Sequence, residues 1–331
     1  MDRVVVTHWV HPEVAGYLAE FCDPVLPDAG VWPRPQLAGL AAGASGLIVC
    51  MADRVDEAFL AGCPRLRVVS ATLKGYDNFD AAACARHGTW LTVLPDLLTI
   101  PAAELAVGLT IAIMRRVAEA DRHVRGGAFA GWRPSFYGCG LHGATAGIVG
   151  MGRLGQAVAA RLEPFGARIV YSDPRPLPAA AAGRLRATRL GLDDLLTRSD
   201  VVLLLTPLES LTHRLVADPG LRRMRPGAFL VNLGRGSVVD EEAVADALEE
   251  GRLGGYAADV FAFEDWAQPD RPAAIPERLL AHPRTLLTPH LGSAVDGVRR
   301  EMSLEAARQV RQVLSGERPD HAVNEPLGLA F

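Results

Sequence analysis

Cysteine, aromatic residues and long apolar runs are all scarce in this chain. The five cysteines (Cys22, Cys50, Cys63, Cys84, Cys139) are odd in number and scattered, with no C-x-x-C pair. That pattern excludes a disulfide framework and a cysteine zinc site, and it fits reduced thiols in a cytoplasmic protein. No apolar run is long enough to span a bilayer, and a strand-like VVVTH comes so soon after Met1 that no signal peptide is expected. Neither sign of charge dominates: 34 Lys and Arg against 38 Asp and Glu leave a net charge of −4. A basic footprint for nucleic acid or an anionic membrane is therefore missing, and an anionic substrate must be captured by local cations. Beyond His8-x-x-His11 the histidines show no ligand spacing, so no metal site is expected.

The chain does have size and one strong motif. At 331 residues, 49% hydrophobic and 22% charged, it has the composition of a globular protein with two domains. Residues 145–149 form an apolar run of the kind that makes a buried parallel strand, and Gly150, Gly152 and Gly155 come next in G-x-G-x-x-G spacing. Residues 156–165 carry a helical pattern, 168–172 a second apolar run, and Asp173 closes it. Glycine is common here, 33 of 331 residues, so the triplet alone means little. Its weight comes from strand, turn, helix, second strand and terminal acid falling in order. Gly150 permits the tight turn, Gly152 lets backbone approach a pyrophosphate, and Gly155 lets helix and strand pack closely. The turn at Arg153 and Leu154 opens the helix, whose free N–H groups and positive dipole end face the phosphates. Asp173 would accept hydrogen bonds from a ribose and repel a 2′-phosphate. The predicted cofactor is NAD.

Before this motif, strand-like runs at 4–7, 46–50, 67–71 and 90–93 alternate with helical patterns at 34–42, 56–62 and 79–86. That is a small α/β unit with a mostly parallel sheet. Pro24, Pro27, Pro33 and Pro35 read as an irregular loop. The composition changes near Pro95, and 101–114 is so apolar that it should be a helix buried on most sides. Residues 124–141, rich in glycine and aromatics, are too long for a simple turn and read as a functional or interface loop. After the motif, runs at 201–205, 228–232, 256–259 and 285–288 continue the sheet, and the helical pattern at 298–316 comes too late for it. The expected architecture is α/β: two Rossmann-like or flavodoxin-like domains with parallel sheets. The NAD-binding domain (99–291) is inserted in a discontinuous substrate domain (1–98 and 292–331).

Four polar clusters lie at strand ends or in loops. VNLGRGSVVD (231–240) places Arg235 in a Gly-flanked turn after a buried strand; ADVFAFEDW (258–266) places Asp259 at a strand end with Glu264 five residues on. TPHLGS (288–293) carries His290 just beyond the last strand, and SATLKGYDNFD (70–80) carries Lys74 and Gly75. Singly, each reads as readily as a surface arginine, a solvated acid, a structural histidine or a solubility lysine. His290 gains weight from standing at the carboxyl end of a nucleotide-binding sheet.

Taken in order, the clusters resemble the D-isomer-specific 2-hydroxyacid dehydrogenase family over essentially the whole chain. The resemblance implies that Arg235 grips the substrate and that Glu264 pairs with His290, these three being the catalytic residues. It also implies that Thr206, Pro207, Leu233, Gly234, Arg235 and Asp259 line the NAD site with the glycine loop. The segments CMADRVD (50–56), LPDLLTIPAAELA (94–106), GWRPSFYG (131–138) and GYAADVFAFEDWAQPDRP (255–272) further resemble the phosphite-oxidising members, the phosphonate dehydrogenases. Those members use NAD to oxidise phosphite to phosphate. The implied substrate-binding set is Lys74, Gly75, Met51, Arg235 and His290, and a homodimer is implied as well. Most family members have a small residue where Lys74 stands. The chemistry makes independent sense of it: a carboxylate needs one arginine fork, whereas phosphite is mostly a dianion near neutral pH and calls for a second cation. The alternative is a dehydrogenase for a small D-2-hydroxy acid with an atypical lysine. An NAD-sensing binding protein on the same fold is disfavoured by that second cation and by the lack of an added interaction tail.

Overall fold

A computed structural model describes residues 1–94 and 96–327. Pro95, near which the composition changes, and 328–331, the end of the expected substrate domain, lie outside the described residues. The chain divides into two compact units, Met1–Leu98 with Ala294–Phe331, and Thr99–Ser293.

The first unit opens with β1 (Arg3–Val6), α1 (Pro12–Ala19), β2 (Asp23–Val25), α2 (Arg34–Ala41) and β3 (Gly46–Val49). It continues with α3 (Glu57–Ala61), β4 (Val68–Ala71), α4 (Ala81–Arg86) and β5 (Trp90–Thr92). All pairings are parallel, in the order β2-β1-β3-β4-β5. β3, β4 and β5 are buried along their whole length, which is why they read as unbroken apolar runs. Asp56 and Asp80 cap α3 and α4 by accepting the Phe59 and Ala83 N–H groups. The proline-rich stretch is the irregular loop that its composition suggests only in its middle, 26–33, which holds Pro27 and Pro33; its two ends lie in regular elements. Pro24 lies inside β2, an edge strand paired on one side only, where a missing N–H is tolerated. Pro35 sits in the first turn of α2, where that N–H has no helical partner anyway.

The second unit starts with α5 (Thr99–Met114) and α6 (Val117–Arg125). Next come β6 (Thr145–Val149), α7 (Arg153–Leu162), β7 (Arg168–Ser172), α8 (Ala179–Arg184), β8 (Ala187–Arg189), α9 (Leu192–Arg198) and β9 (Val201–Leu204). The unit ends with α10 (Asp218–Arg223), β10 (Ala228–Asn232), α11 (Glu241–Glu249), β11 (Leu253–Ala258), α12 (Glu277–Ala281) and β12 (Thr285–Leu287). Its seven parallel strands run β12-β11-β10-β9-β6-β7-β8, so chain order reverses between β6 and β9. α5, with ten buried side chains, packs on α7 and β11 in one apolar core with β6 and β9. Residues 126–141 hold no helix or strand, and α6, which the sequence pattern does not reveal, precedes them.

The chain then returns to the first unit as α13 (Asp296–Leu314). Ala306, Ala307, Val310 and Val313 of α13 are buried against Val4, Ile48 and Val68. Among the described residues, no helix is long and apolar enough to cross a membrane.

Candidate active site

The crevice where β6 and β9 diverge is built from glycines. A Cβ on Gly150, whose φ is +94°, would come within 2.9 Å of the Leu205 carbonyl carbon. A Cβ on Gly155 would lie 2.2 Å from the Gly150 oxygen. Both glycines are therefore dictated by close backbone approach. Gly152 is different: nothing lies within 4 Å of a Cβ there, so the space over the start of α7 is open. This is the fit a pyrophosphate needs, with glycines sealing the turn and an unobstructed helix N-terminus facing the ligand. Arg153 is exposed at the first position of α7, whereas the Leu154 side chain packs on the core, leaving its backbone N–H for a ligand. Asp173 stands just past β7, and its Oδ2 accepts the Met151 N–H at 2.9 Å while Oδ1 accepts that of Arg175 at 2.8 Å. The carboxylate is thereby held rigidly beside the glycine loop, with acceptor capacity left for a ribose.

On the far side of the crevice, a Cβ on Gly234 would sit 2.5 Å from the Thr206 oxygen, so the ends of β9 and β10 are in close contact. Thr206 and Leu233 are buried and Pro207 is exposed. Asn232, fully buried at the end of β10, shapes the next three residues: its Nδ2 donates to the Arg235 carbonyl at 2.9 Å and its Oδ1 accepts the Gly234 N–H. This side chain folds the turn that presents Arg235, whose Nη1 donates to the Gly234 carbonyl at 3.0 Å. Arg235 itself is half-buried.

Glu264 and His290 meet. His290 Nδ1 lies 2.8 Å from Glu264 Oε2, while Glu264 Oε1 accepts the Phe261 N–H at 3.0 Å. The His290 backbone has a φ of 57°, a left-handed conformation costing a non-glycine residue about 1 kcal/mol. Asp259 holds it there. The His290 N–H donates to the Asp259 carbonyl at 3.0 Å, and the Asp259 carboxylate accepts from the Leu291 and Gly292 N–H groups and the Thr288 hydroxyl. Burial pushes the Asp259 carboxyl above the usual range, a shift these donors oppose. The Arg235 turn leans on the same loop: a Cβ on Gly236 would fall 1.8 Å from the Phe261 carbonyl carbon. The second unit thus unites a nucleotide crevice, an arginine and a carboxylate–imidazole pair at the carboxyl ends of its strands.

The first unit holds the other predicted substrate residues. Lys74 and Gly75 are half-buried in the turn after β4, and Met51 is half-buried just past β3. Asn78 Nδ2 donates to the Met51 carbonyl at 3.3 Å, tying these two loops together. Asp53 lies beneath, buried, accepting the Cys50 N–H at 2.7 Å and the Thr7 hydroxyl. His8, also buried, has its pKa lowered to about 3 by burial and by the Arg299 charge, so it is neutral. One further signal in the sequence bears on this unit. Lys74 is the only lysine in the chain; every other one of the 34 Lys and Arg side chains is arginine. A merely solubilising cation at this position would be expected to be arginine too.

The family model for the D-isomer specific 2-hydroxyacid dehydrogenase NAD binding domain matches residues 107–292. A glyoxylate reductase of Thermofilum pendens is 35% identical over 327 residues, 98% of this chain and 94% of that protein. One from Thermococcus gammatolerans is 37% identical over 306 residues, 91% of this chain and 89% of that protein. A crystal structure of a Thermus thermophilus protein superposes with a TM-score of 0.86 at 36% identity, covering 97% of this chain and 99% of that one.

Proposed function

The chain belongs to the D-isomer-specific 2-hydroxyacid dehydrogenase family and is an NAD-dependent oxidoreductase, and on that premise we propose that it oxidises phosphite to phosphate. The observation that carries the proposal is the solitary Lys74 in a chain that otherwise uses arginine for every basic side chain. A guanidinium is a planar fork suited to carboxylates, whereas an ammonium is a compact, strongly hydrated charge with three rotatable donors. A phosphorus oxyanion carries two charges over three tetrahedral oxygens and suits one cation of each kind, a fork and a compact ammonium.

The balanced reaction is phosphite dianion, water and NAD+ giving hydrogen phosphate dianion, NADH and a proton. NAD+, when bound, accepts the hydride released as the P–H bond breaks. The residues of this chain do the rest. Arg235 and Lys74 bind the dianion and hold its charge as water oxygen bonds to phosphorus. Glu264 holds Nδ1 of His290, which leaves Nε2 to receive the proton that the water loses. Asp259 fixes the imidazole against the strain of its backbone. We propose in addition a homodimer formed through the 126–141 loop, whose Phe129, Trp132 and Tyr137 side chains are exposed.

The similarity to glyoxylate reductases favours a second reading, reduction of glyoxylate or a similar small 2-oxo acid. There Arg235 would grip the carboxylate and His290 would give its proton to the carbonyl oxygen, and a single negative charge would leave Lys74 without a function in binding. Initial rates decide between the two. NAD reduction by phosphite, set beside NADH oxidation by glyoxylate and NAD reduction by D-2-hydroxy acids, should give phosphite the highest kcat/KM. A kcat/KM for glyoxylate far above that for phosphite would support the second reading.

A further inference from the structure

Behind the His290–Glu264 pair lies a carboxyl group that the reaction as described does not use. Glu241, the first residue of α11, is 5% exposed. Its Oε1 accepts the Ala262 N–H at 2.9 Å, and its buried Oε2 has no hydrogen-bond partner among the described residues. Ala262 belongs to the short turn Ala262–Glu264 that carries Glu264. Asp265, next along and 1% exposed, accepts the Ser237 N–H at 2.7 Å on its Oδ2, and Ser237 belongs to the Arg235 turn. Residues 261–265 are thus held by Glu264 at the Phe261 N–H and by Glu241 at the Ala262 N–H, and through Asp265 they hold the Arg235 turn in their own right. A fixed, solvent-filled surface loop needs none of this. A half-satisfied buried carboxyl is costly, and its cost is lowest when the group is neutral.

We propose that Glu241 is a positioning residue for the His290–Glu264 pair, acting through the 261–265 turn, and that its ionisation raises turnover in the oxidative direction. The charge relationships fix the sign. The groups that reach its carboxyl are Asp265 and Glu264 from the turn, Glu242 from its own helix and the Tyr256 hydroxyl from β11. On the outer side of α11, Arg278 pairs with Glu242, Asp246 and Glu249. Burial first, then the Asp265, Glu264 and Glu242 charges, raises the Glu241 pKa to about 7, against the pull of the Ala262 N–H. A group with that pKa changes charge in the working range of an enzyme. Once ionised, it adds a negative charge behind Glu264, and this favours the positive imidazole that forms when His290 takes a proton. Coupling of this kind is reciprocal, so whatever removes the Glu264 charge must ease the ionisation of Glu241.

The inference rests on the proposed role of His290 as proton acceptor, and the experiment separates the two. kcat and KM are measured against pH for wild type and Glu241→Gln, an isostere that keeps the acceptor for Ala262, with phosphite and with D-2-hydroxy acids as substrates. In parallel, the Glu241 carboxyl is titrated by 13C NMR in wild type and in Glu264→Gln, which needs no substrate. Wild-type kcat is expected to rise through an inflection near pH 7. Glu241→Gln should lack that inflection, with a plateau about five-fold lower and KM unchanged. Glu264→Gln should move the Glu241 titration down by roughly half a pH unit or more. An unaltered kcat profile in Glu241→Gln overturns the proposal, as does a Glu241 titration that ignores Glu264→Gln. If Glu241→Gln does not fold, the carboxyl titration alone decides.

Discussion

His290 Nδ1 stands 2.8 Å from Glu264 Oε2, and the Glu264 carboxylate is itself anchored on the Phe261 N–H. The imidazole is therefore aimed by a carboxylate that cannot easily swing away. Glu264→Gln keeps the shape and removes the charge, and kcat should fall about 100-fold or more, a general acid–base contribution being roughly 100- to 10,000-fold. His290→Ala should abolish nearly all turnover. In both variants NAD binding, monitored by fluorescence quenching, should remain near the wild-type Kd. Near-normal turnover in His290→Ala would take that residue out of the mechanism.

Arg235 depends on its turn as much as on its charge. Arg235→Lys loses the planar fork, and KM should rise by roughly tenfold or more. Gly236→Ala should damage the site without touching the guanidinium, because its Cβ would meet the Phe261 carbonyl carbon at 1.8 Å. Steady-state kinetics of the two variants should show substrate KM rising in both. A Gly236→Ala enzyme with unchanged KM would mean that the close packing of these loops does not matter for binding.

We propose that Asp173 reads the cofactor. Its carboxylate is fixed by two backbone N–H groups, with Arg175 close by in sequence. Asp173→Ala should narrow the NAD over NADP preference in kcat/KM, since the repulsion of a 2′-phosphate is removed. An unchanged ratio would mean that Asp173 does not read the ribose.

Much of the fold is legible in the sequence. The buried parallel strands of both sheets, such as 46–49, 145–149 and 228–232, show as unbroken apolar runs because both their faces are covered. β2 and β8 leave no such trace: each is three residues long, lies at a sheet edge and buries little. α1 is hidden because only Val14 and Leu18 of its residues are buried. In the site, Arg235, Glu264 and His290 stand out by their place after strands. Asn232, Glu241 and Asp265 do not, since their roles are made by hydrogen bonds to backbone groups that sequence spacing leaves unspecified. Lys74 is visible by its position, and its uniqueness in the chain is the stronger sign.

Glu241 also leaves a mark on stability. Its pKa is raised in the folded protein from 4.5 to about 7 by burial. The folded state therefore holds a proton that the unfolded chain gives up, and this stabilisation is complete below pH 4.5 and lost as pH rises through 7. The loss is on the order of 3 kcal/mol. Urea unfolding of Glu241→Gln and wild type at acid and mildly alkaline pH should show the variant gaining on the wild type as pH rises. A difference that does not vary with pH would mean that Glu241 has an ordinary carboxyl.

The central claim is that Lys74 selects a dianionic phosphorus oxyanion. The direct measurement is kcat/KM for phosphite and for a D-2-hydroxy acid in wild type and Lys74→Ala, at fixed ionic strength so that screening is constant. A cation facing a desolvated dianion contributes several kcal/mol where a surface lysine contributes little, so the phosphite value should fall about 100-fold or more. Turnover of the hydroxy acid, whose single carboxylate relies on Arg235, should change by no more than a few-fold. Phosphite turnover within about twofold of wild type, a difference under roughly 0.5 kcal/mol, would contradict the claim and leave Lys74 an ordinary surface side chain.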